Sequence, residues 1–367
     1  MSDPENESTA TSLLAPDEIG TTGTGLWRRD DHYYIPDGNV IILVENTLFK
    51  VHRSILANDT SIFEEMFNPS EHRDASEEPE DGLSDELPIR FPEDTVSQFR
   101  ALLWSLYALP ADLLQATNGD SCPEQRLLDL AIITNKYQFR TTEKWCIDVL
   151  IQHYKTPNVQ IDPHMLPSLS QVAKFCQSKP LLTFVEGWWK RLSIQGGFYD
   201  IMIETAVRHD FKRVLGYAYH GLMLKGRTEW DKYPSLDREH RIRVLAGFYN
   251  LTKECANLHA SPPTFVHHTT CGPFRLLCEA QWIALWKEIT RSNGLYDSVS
   301  GEKGPDYLGR HLLVTGTINA ILENRSVMSS MVNLDNCSDE CLKLALAASR
   351  KRQRDTQNNL LQYFLDI

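Results

Sequence analysis

The 367-residue chain carries 37 lysines and arginines against 49 aspartates and glutamates, a net charge of -12, with 42% hydrophobic residues. That acidity argues against direct nucleic-acid binding, which concentrates cations where phosphates dock, and the length predicts two domains at about 150 residues each. Eight cysteines without a C-x-x-C pair, behind an acidic start lacking a signal peptide's apolar core, predict reduced thiols in the cytoplasm or nucleus. No apolar run approaches the ~18 residues of a membrane span.

Residues 1–26 are polar and acidic and read as a disordered tail, with order beginning near Trp27. The run "VIILV" (40–44) predicts a strand buried on both faces, turned by Glu45-Asn46 into a hairpin partner, "TLFKVH". In that partner Phe49 and Val51 face one side and Lys50 and His52 the other. The period then becomes helical. Ser54, Ile55 and Leu56 open one short helix; Thr60 or Ser61 caps a second, with Ile62, Phe63, Met66 and Phe67 as its apolar face. Residues 69–86 are acidic, carry Gly and Pro, and predict a mobile insertion. "LPIRF" (87–91) is a short strand. A helix capped by Asp94 or Thr95 follows and stops at Pro110. Two more helices follow, one marked by Leu127, Leu128, Leu130, Ala131 and Ile133. The other has Thr141 or Thr142 as cap and Trp145, Val149 and Leu150 turned inward.

This order, with "FKVHRSIL" (49–56) at the hairpin-to-helix junction, resembles the BTB/POZ domain. "LLWSLYALP" (102–110) and "AIITNKYQFRTTEKWCIDVL" (131–150) look especially like the BTB proteins of mushroom-forming fungi. The resemblance implies a non-enzymatic protein–protein interaction module that often homodimerises and in many members docks a cullin scaffold of a ubiquitin ligase. It points to Asp37, Asn39, Phe49, His52, Arg53, Leu56, Phe63, Met66, Phe67 and Tyr137 as the motif residues, interacting or structural. Two positions depart from the family. Many dimeric members have an aspartate before the buried strand, forming a charged pocket with the arginine after the motif histidine. Here Asn39 stands there beside a retained Arg53, and an amide hydrogen-bonds but cannot neutralise a guanidinium. Cullin-docking members carry an apolar-x-acid signature near the start of the penultimate helix, where this chain has Arg126 and Leu128.

Beyond about Pro163 helical spacing takes over, broken by Pro and Gly. The expected fold is therefore α+β: a BTB domain at 27–158 followed by an all-helical domain at 159–367. The last helix is capped by Ser338, with Asp339 and Glu340 in its first turn and "RKRQR" (350–354) beyond. That basic run reads as a nuclear-import signal, which would suit a transcription-linked nuclear scaffold acting through partners, as an anion-binding patch, or as a solvated face opposing the helix dipole. Trp188-Trp189, Trp282 and Trp286 read mostly as core, one of them a possible anchor for a partner.

Little in the chain signals chemistry. His52 and Arg53 have no nucleophile or acid at a recognisable spacing, so packing at the junction is the better reading. His267, His268, Cys271 and Cys278 fall within twelve residues, and four such ligands can hold zinc. Their spacing matches no standard pattern, and Cys278 beside Leu276 and Leu277 reads as a small hydrophobe on an apolar face. Cys337 and Cys341 could join such a site, though core or cap packing is the preferred reading. Neither "GTTGTG" (20–25) nor "GPDYLGRH" (304–311) has the context of a nucleotide loop. No cofactor, nucleic acid or membrane is expected; the partners are proteins, through a homodimer or a cullin.

Overall fold

The computed structural model describes residues 27–67, 81–117, 122–157, 159–233, 236–292, 305–324, 334–335 and 337–366. The expected tail at 1–26 and most of the acidic insertion lie outside them. The chain divides into two compact units, 1–160 and 161–367.

The first unit is built on a four-stranded mixed sheet: β1 (Arg28–Tyr34), β2 (Val40–Val44), β3 (Thr47–Val51) and β4 (Ile89–Phe91), in the order β1-β3-β2-β4. β2 and β3 form the antiparallel hairpin, with Val44 opposite Thr47 and Glu45 in the left-handed region at φ 52°. All five residues of β2 are buried, as a central strand requires. β4 pairs with β2 in parallel, Ile42 opposite Ile89.

The strand β1 has no apolar alternation to announce it, and it pairs in parallel with β3. Asp30 fixes it. This buried carboxylate accepts the backbone N–H groups of His32 and Tyr33 at 3.1 and 3.0 Å, and Arg100 Nε at 2.7 Å. A carboxylate so satisfied tolerates burial that an isolated one would not.

Six helices complete the described part of this unit: α1 (Arg53–Leu56), α2 (Ile62–Phe67), α3 (Val96–Tyr107), α4 (Pro110–Thr117), α5 (Glu124–Tyr137) and α6 (Arg140–Lys155). Thr95 caps α3 in a reciprocal box with Gln98. Pro110 ends α3 and also opens α4, a helix not expected from the sequence. Neither Thr141 nor Thr142 caps α6. The Asp59 carboxylate does so from 82 residues away, accepting the Thr141 N–H at 3.0 Å. On α2 only Phe63 is buried; Met66 is exposed and Phe67 half-buried, because a six-residue helix has only one turn against the core.

Residues 81–86, expected to be mobile, form an ordered turn. Gly82 accepts the Ile41 N–H at 2.8 Å, and Asp85 receives Arg29 at 2.7 Å and the Tyr34 hydroxyl at 2.6 Å. The acidic character that suggested disorder here satisfies two donors of β1.

The second unit is helical: α7 (Leu166–Phe175), α8 (Lys179–Gln195), α9 (Tyr199–Arg208), α10 (Lys212–Lys225), α11 (Arg227–Trp230), α12 (Arg238–Ala260), α13 (Arg275–Ser292), α14 (Tyr307–Glu323), α15 (Asp339–Asn358) and α16 (Gln362–Leu365). A short 3-10 helix, Thr269–Phe274, precedes α13. α10 is the axis. It is buried without interruption from Val214 to Met223 and packs on α8, α9, α12 and α16. A helix enclosed on every side is mainly apolar all round, and its buried hydroxyls find partners, Tyr217 with Gln357 and Tyr219 with His240. Gly221 lets α9 approach, since a Cβ there would lie 2.6 Å from the Tyr199 ring. The chain closes with Phe364 of α16, fully buried, on the backbone of Gly247 in α12. "RKRQR" lies near the end of its helix, one turn before Asn358. Within the run Arg352 bonds Glu254 at 3.0 Å and the Ser261 carbonyl at 3.1 Å. No helix among the described residues is long and apolar enough to cross a membrane.

Phe364 is the plug of this second core. Phe364→Ala is expected to lower the unfolding free energy by about 3–5 kcal/mol in urea titrations. A loss below about 1 kcal/mol would show that α16 is not part of the core.

Candidate functional site

The hairpin-to-helix junction holds the first group of motif residues. Asn39 Oδ1 accepts the backbone N–H of Arg53 at 2.8 Å. The amide thus ties β2 to α1, and the Arg53 guanidinium lies over the Phe67 ring at 5.5 Å. His52 bonds the Tyr107 hydroxyl through its backbone N–H at 3.0 Å and its Nδ1 at 2.9 Å, and its Nε2 is 3.5 Å from exposed Asp37. Burial first, opposed by that backbone N–H, raises the Tyr107 pKa. These groups join the hairpin to α3, and the raised pKa keeps the Tyr107 hydroxyl beside His52 protonated.

The remaining motif residues are core. Phe49 packs on Phe99 at 4.9 Å between ring centroids, and Leu56 is fully buried. Phe63 stacks near Tyr137 at 4.7 Å and touches Phe67, Phe91 and Phe139. The Tyr137 hydroxyl donates to buried Asp94, whose other oxygen receives Lys136 at 2.7 Å. Burial, reinforced by Asp94, holds the Tyr137 phenol well above its ordinary pKa.

A different set of residues faces outward. Trp104 on α3 and Trp145 on α6 are half-buried, their rings 6.3 Å apart. Arg126, exposed on α5, lies over Trp104 at 5.1 Å. Tyr107, one turn on from Trp104, is 6.2 Å from Tyr33. Trp145 does not turn inward as expected; the neighbouring Cys146 is the buried residue. The patch escaped sequence reading because it takes two residues from α3 and one each from α5, α6 and β1. Its composition, Trp, Tyr and Arg, is that of interface anchors. Leu128, the other position of the cullin signature, is buried.

The second unit gathers buried polar groups that could pass for chemistry. His311 Nε2 meets Ser349 Oγ at 3.0 Å, but both are fully buried and the described residues place no acid on His311 Nδ1. Burial, with Arg352 nearby, lowers the His311 pKa to about 4; His220 falls to about 4 through burial, against the opposing charge of Asp306. Both are neutral structural histidines. An open cleft of about 560 Å³ is lined by Asn319, Glu323, Lys343, Arg350 and Arg354. Of the tryptophans, Trp189, Trp282 and Trp286 are core, while Trp188 is half-buried under Arg191 at 4.9 Å.

The thiols are the exception to this bland picture. His267 and Cys271, Cys278 and Cys341 bring their ligand atoms within 4.8 Å of one another. His268 joins through its backbone N–H, which donates to Cys341 Sγ at 3.3 Å. Cys337 Sγ lies 3.4 Å from Cys278 Sγ. Cys278 does not share an apolar face with its neighbours: Leu276 is 80% and Leu277 51% exposed while Cys278 is 0%.

Residues 38–154 match the family model of the BTB/POZ domain. The first unit is accordingly a BTB domain, a small mixed sheet with helices, followed by a helical C-terminal region. Such domains generally mediate protein–protein interaction and are not typically catalytic. A comparison with curated proteins returned no match.

The buried histidines set a pH response. Their folded pKa near 4 lies below the ordinary 6.5, so below pH 6.5 the unfolded chain binds protons that the folded chain refuses. Stability should fall between pH 6.5 and 5 by about 1.4 kcal/mol per pH unit for each histidine. In urea unfolding, His311→Gln should flatten that slope by one histidine's share; an unchanged slope would contradict the assignment.

Proposed function

We propose that the chain is a non-enzymatic interaction protein whose BTB unit self-associates or docks a protein partner through the face built by Trp104, Trp145 and Arg126. The carrying observation is that patch of half-exposed indoles with a guanidinium over one of them, on a domain of an interaction family. Partly exposed aromatic surface gains most when a partner completes its burial, and Arg126 adds a donor fork for a carboxylate or carbonyl. A stable pairing of this kind buries about 1,600 Å² in all. The helical unit is free to hold a second partner.

A cullin adaptor is the narrower alternative, and the site's chemistry disfavours it. The family's signature calls for an acid, and this chain offers exposed Arg126 and buried Leu128. The likeness to the BTB proteins of mushroom-forming fungi belongs with this reading, as does a cytoplasmic or nuclear location; the "RKRQR" run is the candidate import signal.

Sedimentation velocity over a concentration series tests self-association. The full chain should form dimers, and the pair Trp104→Ala and Arg126→Glu should weaken dimerisation at least tenfold with little change in Tm. Wild type that stays monomeric while capturing no protein partner, or a variant that associates as wild type does, would overturn this reading.

A further inference from the structure

Cysteines usually act as small hydrophobes, and a cluster of them normally needs no ligand. The cluster in the second unit behaves otherwise. Cys271, Cys278, Cys337 and Cys341 are all buried, whereas Val266, Phe274, Leu276 and Leu277 around them are exposed. The hydrophobic effect alone would bury the larger aliphatic groups first. Here sulfur has been given the inside.

The geometry is that of a coordination sphere. Cys271 Sγ and Cys341 Sγ are 3.2 Å apart, and His267 Nδ1 lies 3.8 Å from the first and 3.9 Å from the second. Zinc–sulfur bonds of about 2.3 Å and zinc–nitrogen bonds of about 2.0 Å in a tetrahedron put ligand atoms roughly 3.5–3.8 Å from one another. The cluster therefore lacks only small adjustments to hold an ion. Three stretches converge to make it: the 3-10 helix with its approach, the start of α13 and the start of α15. Gly272, at φ 43°, lets the chain turn immediately after Cys271. Cys278 is the fourth residue of α13 and Cys341 the third of α15, so both sulfurs sit where helix N-termini favour thiolates.

The surroundings also suit metal ligands. The His268 N–H donates to Cys341 Sγ, and the Phe265 ring lies 4.8 Å from the His267 imidazole. His267 is half-buried and gives the pocket an opening to solvent. Cys271, Cys278 and Cys341 are all buried, and a coordinating cation is what deprotonates the thiols that hold it.

We propose that His267, Cys271, Cys278 and Cys341 bind one zinc ion as a closed structural site. Binding releases three thiol protons as the cysteines become thiolates and leaves the zinc oxidation state unchanged. Such an ion fastens α15 to the entry of α13 across the 70 residues that separate Cys271 from Cys341. Cys337, beside Cys278, supports the shell from outside it. With four protein ligands the ion has no position for substrate, so the role is to hold the fold.

The test is metal analysis of the full chain purified with reductant and without chelator. One zinc per chain is expected, and cobalt exchanged for it should show the intense visible bands of a tetrahedral thiolate site. Cys271→Ser and Cys341→Ser should each lose the metal, while Cys146→Ser and Cys337→Ser retain it. Wild-type protein that carries no zinc after incubation with zinc chloride would overturn the proposal, a measurement that needs no variant to fold. A Cys271–Cys341 disulfide, found by alkylation and mass spectrometry in protein isolated without reductant, would overturn it too. So would loss of metal from Cys337→Ser together with its retention in His267→Ala, because the ligand set would then be wrong.

Discussion

Two buried carboxylates decide the shape of the BTB unit's outward face. Asp94 takes the Tyr137 hydroxyl and the Lys136 ammonium, and Asp129 takes the Ser97 hydroxyl and the Gln125 amide. The Asp94 bonds and the Ser97–Asp129 bond join the start of α3 to α5, while Gln125 braces Asp129 from within α5. Removing one partner would strand a charge in a low-dielectric core, at a cost well beyond an ordinary hydrogen bond. The two helices are therefore fixed in register, and Trp104 on one is held under Arg126 on the other. This aromatic face is a consequence of polar groups that never reach it.

Much of this was legible in the chain. Five consecutive apolar residues followed by alternation specify the β2–β3 hairpin, because only a central strand buries both faces. Thr95 and Ser338 announce their helices through side chains that bond the N3 backbone N–H groups. What escaped reading depends on partners distant in sequence. β1 is polar and orders because Asp30 meets Arg100, 70 residues on. Asp59, 82 residues from Thr141, caps α6 and replaces the local threonines. Residues 81–86 read as solvated acid until Arg29 and Tyr34 are placed opposite Asp85.

The thiol cluster follows the same rule. From the spacing within 267–278 alone, core packing was the sounder expectation. The fold brings Cys341 in from another helix and leaves His268 to act through its backbone. The sequence did contain a signal: Cys337 and Cys341 at a helix start, with no disulfide among the described cysteines to account for them. The two units thus solve one problem differently. The first fastens its layers with buried carboxylates and a stacked aromatic core. The second wraps helices around α10 and gathers its remaining helices at a cluster of sulfurs.

The central claim is that the BTB unit acts by contact through the Trp104–Arg126–Trp145 face. Amide hydrogen exchange of the full chain, compared between dilute and concentrated protein, tests it most directly. The account predicts added protection in 96–107 and 124–150 on association, with 161–233 unchanged. Association that protects only the helical unit, or none of the segments bearing these three residues, would contradict it.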